Sequence, residues 1–284
     1  MVALDKDGQV LIKKGDAKAI IFARSALKSL QAAAMLRNGL QVNQKQLALI
    51  CASHSGSSAH IEVARSILSE HGLSESDLQN AKDRPLGEIE RINWGTKPAE
   101  RITHNCSGKH SGMLATCIAR GWDKHTYLNQ DHPLQIAIKA EIEEMSGEQI
   151  AITSIDGCGA PLFGFSITGL AKAINKLVRS SDPIHQQIVA ACQKYPELVA
   201  GENRLTTRMM KAVPGLFMKE GAEGVEVCAL SDGRTIAMKI IDGSWRPVAP
   251  IIQEIFQRWN VPMPDETVKI TGGDQVVGQV VATI

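Results

Sequence analysis

The strongest constraint on the fold is a pair of apolar strands joined by a tight turn. Residues 225–230 and 235–241 flank a Ser-Asp-Gly turn, and this pattern predicts an antiparallel hairpin. A second hairpin is predicted in residues 2–12, which alternate in polarity around Asp7-Gly8. Helical patterns fill much of the remaining chain, without a regular alternation of strands and helices. The sequence therefore predicts an α+β layered fold, with mainly antiparallel sheets packed against helices.

Apolar spacing, capping residues and helix-ending glycines predict eight helices. They are expected at residues 25–37, 44–50, 58–71, 109–119, 133–145, 168–179, 185–194 and 247–259. Further strands are expected at residues 149–153 and 276–283, and residues 83–104 are expected to be irregular. The chain has no clean linker, so residues 1–284 are expected to form one unit of one or two subdomains.

Composition excludes several functional classes. The 284 residues carry a net charge of only +1 and no run of Lys or Arg, which argues against a nucleic-acid binder. No apolar stretch approaches the length of a membrane span, and the first residues do not resemble a secretory signal. We therefore expect a cytoplasmic protein. Its six cysteines include no Cys-x-x-Cys pair, so a disulfide framework is not expected.

Ser25 and Lys28 are spaced so that both side chains lie on one face of the first predicted helix. A serine hydroxyl becomes a good nucleophile when a neighbouring base removes its proton, and a lysine serves as that base only when it is neutral. Lowering a lysine pKa from about 10.4 to about 7–8 requires roughly 4 kcal/mol of destabilisation of the cation. The alternative is that Ser25 caps the helix and Lys28 is solvated.

The segment Cys51-Ala52-Ser53-His54-Ser55-Gly56 is rich in hydroxyls and contains an imidazole. Adjacent side chains of an extended segment point apart, so Ser53 and His54 are a poor nucleophile–base pair. We retain Ser53 as a catalytic candidate and His54 as a candidate for substrate binding. The alternative is a turn with local hydrogen bonds.

Asn105-Cys106-Ser107-Gly108-Lys109-His110 places a thiol, an amine and an imidazole directly before an apolar helical run. Cys158, in a second glycine-rich segment, could complete this group. Two thiolates and an imidazole suit tetrahedral zinc, although the spacing is unusual. Nearby cations would instead lower the pKa of a thiol and make it reactive without a metal. Both interpretations stay open.

Lys239 is the only charged residue in the predicted strand at residues 235–241. A lysine in an apolar strand either guards a sheet edge or points into a site. If Lys239 faces inward near Lys28, each amine would lower the pKa of the other, as a Ser-Lys base requires.

Together these motifs resemble the rhizobial-type (class 3) L-asparaginases, over about residues 5–278. The motifs are Ala23-Arg24-Ser25-Ala26-Leu27-Lys28, Cys51-Ala52-Ser53-His54-Ser55, Asn105-Cys106-Ser107-Gly108-Lys109-His110, Asp131-His132-Pro133, Asp156-Gly157-Cys158-Gly159, Pro196-Glu197-Leu198-Val199-Ala200-Gly201-Glu202 and Met238-Lys239-Ile240.

The resemblance implies hydrolysis of L-asparagine to L-aspartate and ammonia by a homodimer, with a fold similar to serine β-lactamases and glutaminases. It implies the following site residues. The catalytic serines would be Ser25 and Ser53, the catalytic lysines Lys28 and Lys239, and the ligands of a modulatory zinc Cys106, Lys109 and Cys158.

The resulting hypothesis is that Ser25 attacks the asparagine side-chain amide while Lys28 accepts its proton. Ser53 and Lys239 would relay protons, and Asp156 would hold the substrate α-amino group. The alternatives are a glutaminase or other serine amidohydrolase, or a non-catalytic regulatory protein built on zinc or a reactive thiol.

Two departures from the family pattern bear on this hypothesis. By comparison with the family pattern we expect the opening strand to be absent and one sheet edge to be bare or rearranged. Ser57 stands where the family often has an acidic residue, which bears on substrate positioning.

Overall fold

A five-stranded antiparallel sheet forms the larger β-layer of the computed structural model, which describes all 284 residues. Its spatial order is β2-β1-β8-β7-β6. The bounds are β1 Val2–Leu4, β2 Val10–Lys13, β6 Phe217–Gly221, β7 Val225–Ala229 and β8 Thr235–Lys239. Both hairpins predicted from the sequence are present, since β1 pairs with β2 and β7 with β8.

A second sheet has the order β3-β5-β4, and a separate hairpin joins β9 to β10. Their bounds are β3 Ile20–Phe22, β4 Ile152–Ile155, β5 Pro161–Ser166, β9 Lys269–Gly272 and β10 Gln275–Gln279. All strand pairs in the three sheets are antiparallel, and helices pack against them. The predicted α+β layered class is therefore confirmed.

Eleven α-helices surround and connect the sheets. They are α1 Lys28–Arg37, α2 Gln44–Ile50, α3 Ser58–Glu70, α4 Glu88–Trp94, α5 Ser107–Arg120, α6 Pro133–Ser146, α7 Ile167–Arg179, α8 Pro183–Lys194, α9 Pro196–Val199, α10 Leu205–Ala212 and α11 Val248–Arg258. The helix expected at residues 25–37 begins as a 3-10 turn over Arg24–Leu27 before α1. None of the helices combines the length and apolar character needed to cross a bilayer.

Local sequence explains why the helices around the site begin where they do. Asn43 and Gln46 form a reciprocal capping box at the start of α2. Ser57 and His60 do the same at the start of α3, so Ser57 serves there as a helix cap. The segment Cys51–Gly56 therefore lies between the end of α2 and the capped start of α3.

Two glycines allow α5 to lie directly against α2. A Cβ at Gly108 would come within 2.5 Å of the Leu49 carbonyl oxygen, and one at Gly112 within 2.9 Å of Ile50. Any larger residue would push the helices apart. This approach brings the start of α5, with its thiol and amine, beside the Cys51–Gly56 segment.

Strand β1 lies inside the larger sheet, whose edge strands are β2 and β6, and all residues of β6 are buried. Sequence patterns did not predict β5 or β6, nor the helix α4 within the segment expected to be irregular. The sequence pattern does not predict β6, because Lys219 and Glu220 interrupt its apolar residues, although both side chains are buried. Packing against neighbouring elements overrode the local polarity.

Candidate active site

Lys28 lies at the junction of the 3-10 turn and α1, and its side chain is almost completely buried, with 1% exposure. Its Nζ donates to the carbonyl oxygen of Ala52 and to Cys106 Sγ, the latter at 3.1 Å. Ser25 lies one turn before it, with 7% exposure. No hydrogen bond joins Ser25 Oγ to Lys28 Nζ, in contrast to the pairing expected from the sequence. The two groups share a helix face, but the amine is engaged elsewhere.

Arg24 has a left-handed backbone, with φ of 53°, directly before Ser25. Such a conformation is strained for a non-glycine residue and persists where its surroundings enforce it. The Arg24 guanidinium donates to Asp156 Oδ1 at 2.6 Å, which ties this turn to the loop after β4. On the other side, a Cβ at Gly221 would overlap the Ala23 carbonyl oxygen. The turn carrying Ser25 is therefore held from two directions.

Backbone hydrogen bonds hold the segment that carries Ser53. The Ser53 amide donates to the Val199 carbonyl at 3.0 Å, and the Ser55 amide donates to the Ala200 carbonyl at 2.7 Å. The Ser53 side chain is 4% exposed, and its hydroxyl makes no hydrogen bond within the protein. The structure thus brings Ser53 beside Lys28 through the neighbouring Ala52 carbonyl.

His54 points away from the solvent-accessible side, with 0% exposure. Its ring stacks on His60 at a centroid distance of 5.1 Å, and its Nε2 lies 2.8 Å from Ser107 Oγ. Burial lowers the pKa of His54 well below its usual value, so the ring is neutral at pH 7. This placement makes His54 a packing residue between α3 and α5, in contrast to the substrate contact expected from the sequence.

Cys106 and Cys158 form a buried thiol pair, with 3% and 2% exposure. A hydrogen bond from Cys158, together with the amines of Lys28 and Lys109, lowers the pKa of Cys106 well below its usual value. The same hydrogen bond and burial raise the pKa of Cys158. The surroundings therefore shift the pKa values of the two thiols in opposite directions.

Lys109 completes this group, since its Nζ lies 3.3 Å from Cys158 Sγ. Burial favours the neutral amine, but the charges of Cys158 and Cys106 outweigh it and raise the Lys109 pKa. No three His, Cys, Asp or Glu side chains converge as a metal-binding group. Two thiols and an amine do converge, and this donor set fits zinc once Lys109 counts as the third ligand.

Lys239 lies at the end of β8, and its Nζ donates to the Glu223 carbonyl in an exposed position. It shares a sheet face with Lys219, since Lys239 pairs with Val225 and Val227 pairs with Lys219. Two strand spacings of about 4.8 Å separate the two lysines across the sheet. No hydrogen bond joins Lys239 to Ser53, the serine that it was expected to assist, because the amine is bound to the Glu223 carbonyl.

Lys219 on β6 is the buried lysine that the sequence patterns missed. Its side chain is 1% exposed, and its Nζ donates to the Glu220 carbonyl at 2.8 Å. Burial lowers its pKa to about 8, with Lys28 adding to the decrease and Glu220 opposing it. A buried amine with this pKa is an effective general base near neutral pH. In the sequence, the feature that could have indicated Lys219 is a Lys-Glu pair within an otherwise apolar stretch.

A model of the L-asparaginase II family matches residues 1–281 of the chain. The match spans nearly the whole sequence and confirms the resemblance inferred from the motifs. It identifies an asparagine-hydrolysing enzyme, as the sequence predicted. A search of curated proteins found no match.

Proposed function

Because the chain belongs to the L-asparaginase II family, we propose that it hydrolyses L-asparagine through a Ser-Lys mechanism with Ser25 as the nucleophile. The observation that carries this proposal is the arrangement around Lys28. Two serines with hydroxyls unpaired within the protein, Ser25 and Ser53, flank a fully buried lysine amine. Such an arrangement provides a nucleophile, a base and a second proton carrier in a water-poor site.

In the first step, Ser25 Oγ attacks the side-chain amide carbon, and its proton passes to Lys28 Nζ. The C–N bond then breaks, the leaving nitrogen takes up a proton, and ammonia departs from a β-aspartyl ester on Ser25. Water next attacks the ester, restoring the Ser25 hydroxyl and releasing aspartate. Residues three apart are neighbours on a helix, so a rotation of the Lys28 side chain suffices to reach Ser25.

We assign the second lysine of the site to Lys219 in place of Lys239. Its lowered pKa, about 8, allows it to exchange protons near neutral pH, and the nearby Lys28 contributes to this decrease. Lys239 has a solvent-exposed hydrogen bond instead. Lys219 would therefore collect the proton that Ser53 relays.

Arg24 and Asp156 suit the charged end of the substrate. Asparagine carries an α-carboxylate and an α-ammonium group, which match a guanidinium and a carboxylate held 2.6 Å apart. The pair sits directly beside Ser25. Asp156 would bind the ammonium group and Arg24 the carboxylate, so that the side-chain amide is presented to the nucleophile.

Zinc would be held by Cys106, Lys109 and Cys158. Bound zinc would supply positive charge that stabilises both thiolates and keeps the Lys109 amine deprotonated. The ligands lie next to Lys28 and Asp156, through the contacts Lys28–Cys106 at 3.1 Å and Cys158–Asp156 at 3.6 Å. We therefore propose that the metal modulates substrate affinity and is not needed for the chemical step.

We also propose a homodimer, as in the resembling family. Support comes from the β9–β10 hairpin, whose residues are all exposed and include Ile270, Val276 and Val277. An isolated two-stranded hairpin is marginally stable in water, so a partner surface would stabilise it. Light scattering coupled to size-exclusion chromatography gives the mass directly, and a monomer across the working concentration range would contradict this assignment.

The test of the function is ammonia release from L-asparagine and L-glutamine by the purified protein. We expect turnover of asparagine, weaker turnover of glutamine, and complete loss in Ser25→Ala. Ser29→Ala is the matched control, because Ser29 is buried four residues along the same helix and its hydroxyl has no partner. A chelator should raise KM and leave kcat nearly unchanged. No ammonia from asparagine, or full activity in Ser25→Ala, would refute the proposal.

A further inference from the structure

Two basic side chains hold the consecutive carbonyl groups of Ala52 and Ser53. Lys28 Nζ donates to the Ala52 carbonyl, and Arg204 Nη1 donates to the Ser53 carbonyl at 3.3 Å. Arg204 Nη2 also forms an ion pair with the Glu220 carboxylate. The guanidinium thus bridges the backbone of a proposed catalytic serine and a carboxylate on strand β6.

The residues before Arg204 also pack closely against the segment that contains Ser53. The Val199 and Ala200 carbonyls accept hydrogen bonds from the Ser53 and Ser55 amides. Gly201 lies so close to Ser55 that a Cβ at this position would overlap Ser55 Oγ. Residues 199–204 therefore form a clamp along residues 53–55, and the Arg204 side chain donates a hydrogen bond to the Ser53 carbonyl within it.

Arg204, the last residue of the clamp, pairs with Glu220 on the strand that carries Lys219. Glu220 follows Lys219 directly on β6, and Lys219 Nζ donates to the Glu220 carbonyl at 2.8 Å. Strand β6 is an edge of the larger sheet, so no further strand fixes its outer side. The Arg204–Glu220 pair joins this edge to the Ser53 segment.

We infer that Arg204 is a positioning residue for amide hydrolysis. By bridging the Ser53 carbonyl and the Glu220 carboxylate, it fixes the distance between Ser53 and Lys219. This inference rests on the proposed function. Proton transfer between Ser53 and Lys219 requires a fixed separation, and misplacement by about 1 Å can reduce turnover 100-fold. The planar fork of arginine can serve both partners at once, whereas a lysine ammonium is a single point charge.

The charges around Lys219 give the bridge a second, measurable consequence. Four groups act on its pKa: Glu220 on the same strand, Glu226 on β7, Lys28 on α1 and Arg204 before α10. The thiol of Cys192 on α8 also faces Lys219, and burial together with Cys51 raises the pKa of that thiol.

Because the cation of Arg204 lowers the Lys219 pKa and Glu220 raises it, the two bridge partners have opposite electrostatic effects. Loss of Arg204 also leaves the Glu220 carboxylate unpaired, which raises the Lys219 pKa further. Loss of Glu220 leaves the Arg204 guanidinium unpaired, which lowers the Lys219 pKa further.

The experiment compares Arg204→Lys, Arg204→Gln and Glu220→Gln by the pH dependence of asparagine kcat/KM. We expect the rising limb of Arg204→Gln to move to higher pH, and that of Glu220→Gln to lower pH, each by roughly half a unit or more. Arg204→Lys keeps the charge, so its limb should stay in place while kcat falls roughly tenfold or more. The inference would be overturned if the rising limbs of Arg204→Gln and Glu220→Gln stayed at the wild-type pH, or if both shifted in the same direction.

A matched control separates this effect from general loss of stability. Arg208 lies one turn further along α10 and pairs with Glu266 at 2.5 Å on the surface, away from Ser53. Arg208→Gln removes a comparable ion pair, and it should leave both kcat and the pH profile unchanged. A limb shift in Arg208→Gln equal to that in Arg204→Gln would overturn the inference.

Hydrogen–deuterium exchange tests the bridge without any activity. The peptide containing residues 51–56 should exchange roughly tenfold faster in both Arg204 variants than in the wild type, with α6 unchanged as a folding check. Unchanged exchange in this peptide would overturn the positioning role. If the wild type released no ammonia from asparagine while this exchange effect appeared, the proposed function alone would fail.

Discussion

Replacement of Lys219 by Met should abolish turnover and yet stabilise the protein near neutral pH. The Lys219 side chain is buried, and its pKa falls from 10.5 to about 8. Each pH unit corresponds to about 1.4 kcal/mol, so the folded state bears a penalty of about 3.5 kcal/mol for this cation. Loss of the hydrogen bond to the Glu220 carbonyl offsets about 1 kcal/mol. We therefore expect a net gain of about 2.5 kcal/mol in the free energy of unfolding.

The sign of the pH dependence follows from the direction of the shift. The folded-state pKa lies below the unfolded value, so the penalty is fully present below about pH 8 and disappears as the pH rises towards 10.5. Urea unfolding at several pH values should show the advantage of Lys219→Met shrinking over this range. Lys211→Met, at an exposed lysine that pairs with Glu202, is the matched control and should change neither property. A variant that is less stable than the wild type at pH 7, with a difference independent of pH, would refute the reasoning.

Three other substitutions test separate parts of the site. Gly201→Ala should lower both kcat and the melting temperature, because its Cβ would overlap Ser55 Oγ; calorimetry and ammonia release at saturating asparagine measure the two effects. Asp156→Asn should raise KM for asparagine roughly tenfold or more and change kcat less, since the proposed role of this charge is to bind the substrate α-ammonium; equal losses in both constants in steady-state kinetics would contradict this role. Cys158→Ser should lower the zinc content measured by mass spectrometry of the native protein, and metal retention equal to the wild type would contradict the proposed ligand set.

Local patterns predicted the helices near the site because caps and apolar spacing agree with tertiary packing there. Helix α2 has the predicted bounds, and α5 begins two residues before the predicted start. The Asn43 capping box and the apolar residues of α2 are visible in the sequence alone. The close approach of α5 to α2 could not be predicted, since it depends on which helix face Gly108 meets.

The lysines of the proposed mechanism show which site residues the sequence can and cannot predict. Lys28 was found because it lies three residues from Ser25, a spacing that any helix converts into proximity. Lys219 is 191 positions further along the chain than Lys28, and only the sheet order brings β6 next to the turn carrying Ser25. Lys239 was favoured because it is the single charge in an apolar strand. Strand position alone does not reveal where a long side chain ends, and this one reaches the exposed Glu223 carbonyl.

The most direct test of the account is the identity of the residue that becomes acylated. The enzyme is mixed with asparagine, quenched with acid within one turnover, digested and analysed by mass spectrometry. We predict that the peptide containing Ser25 gains the mass of one aspartyl group, and that the gain is absent in Ser25→Ala. An aspartyl group on Ser53 instead, or rapid ammonia release with no acylated serine at any time point, would contradict the account.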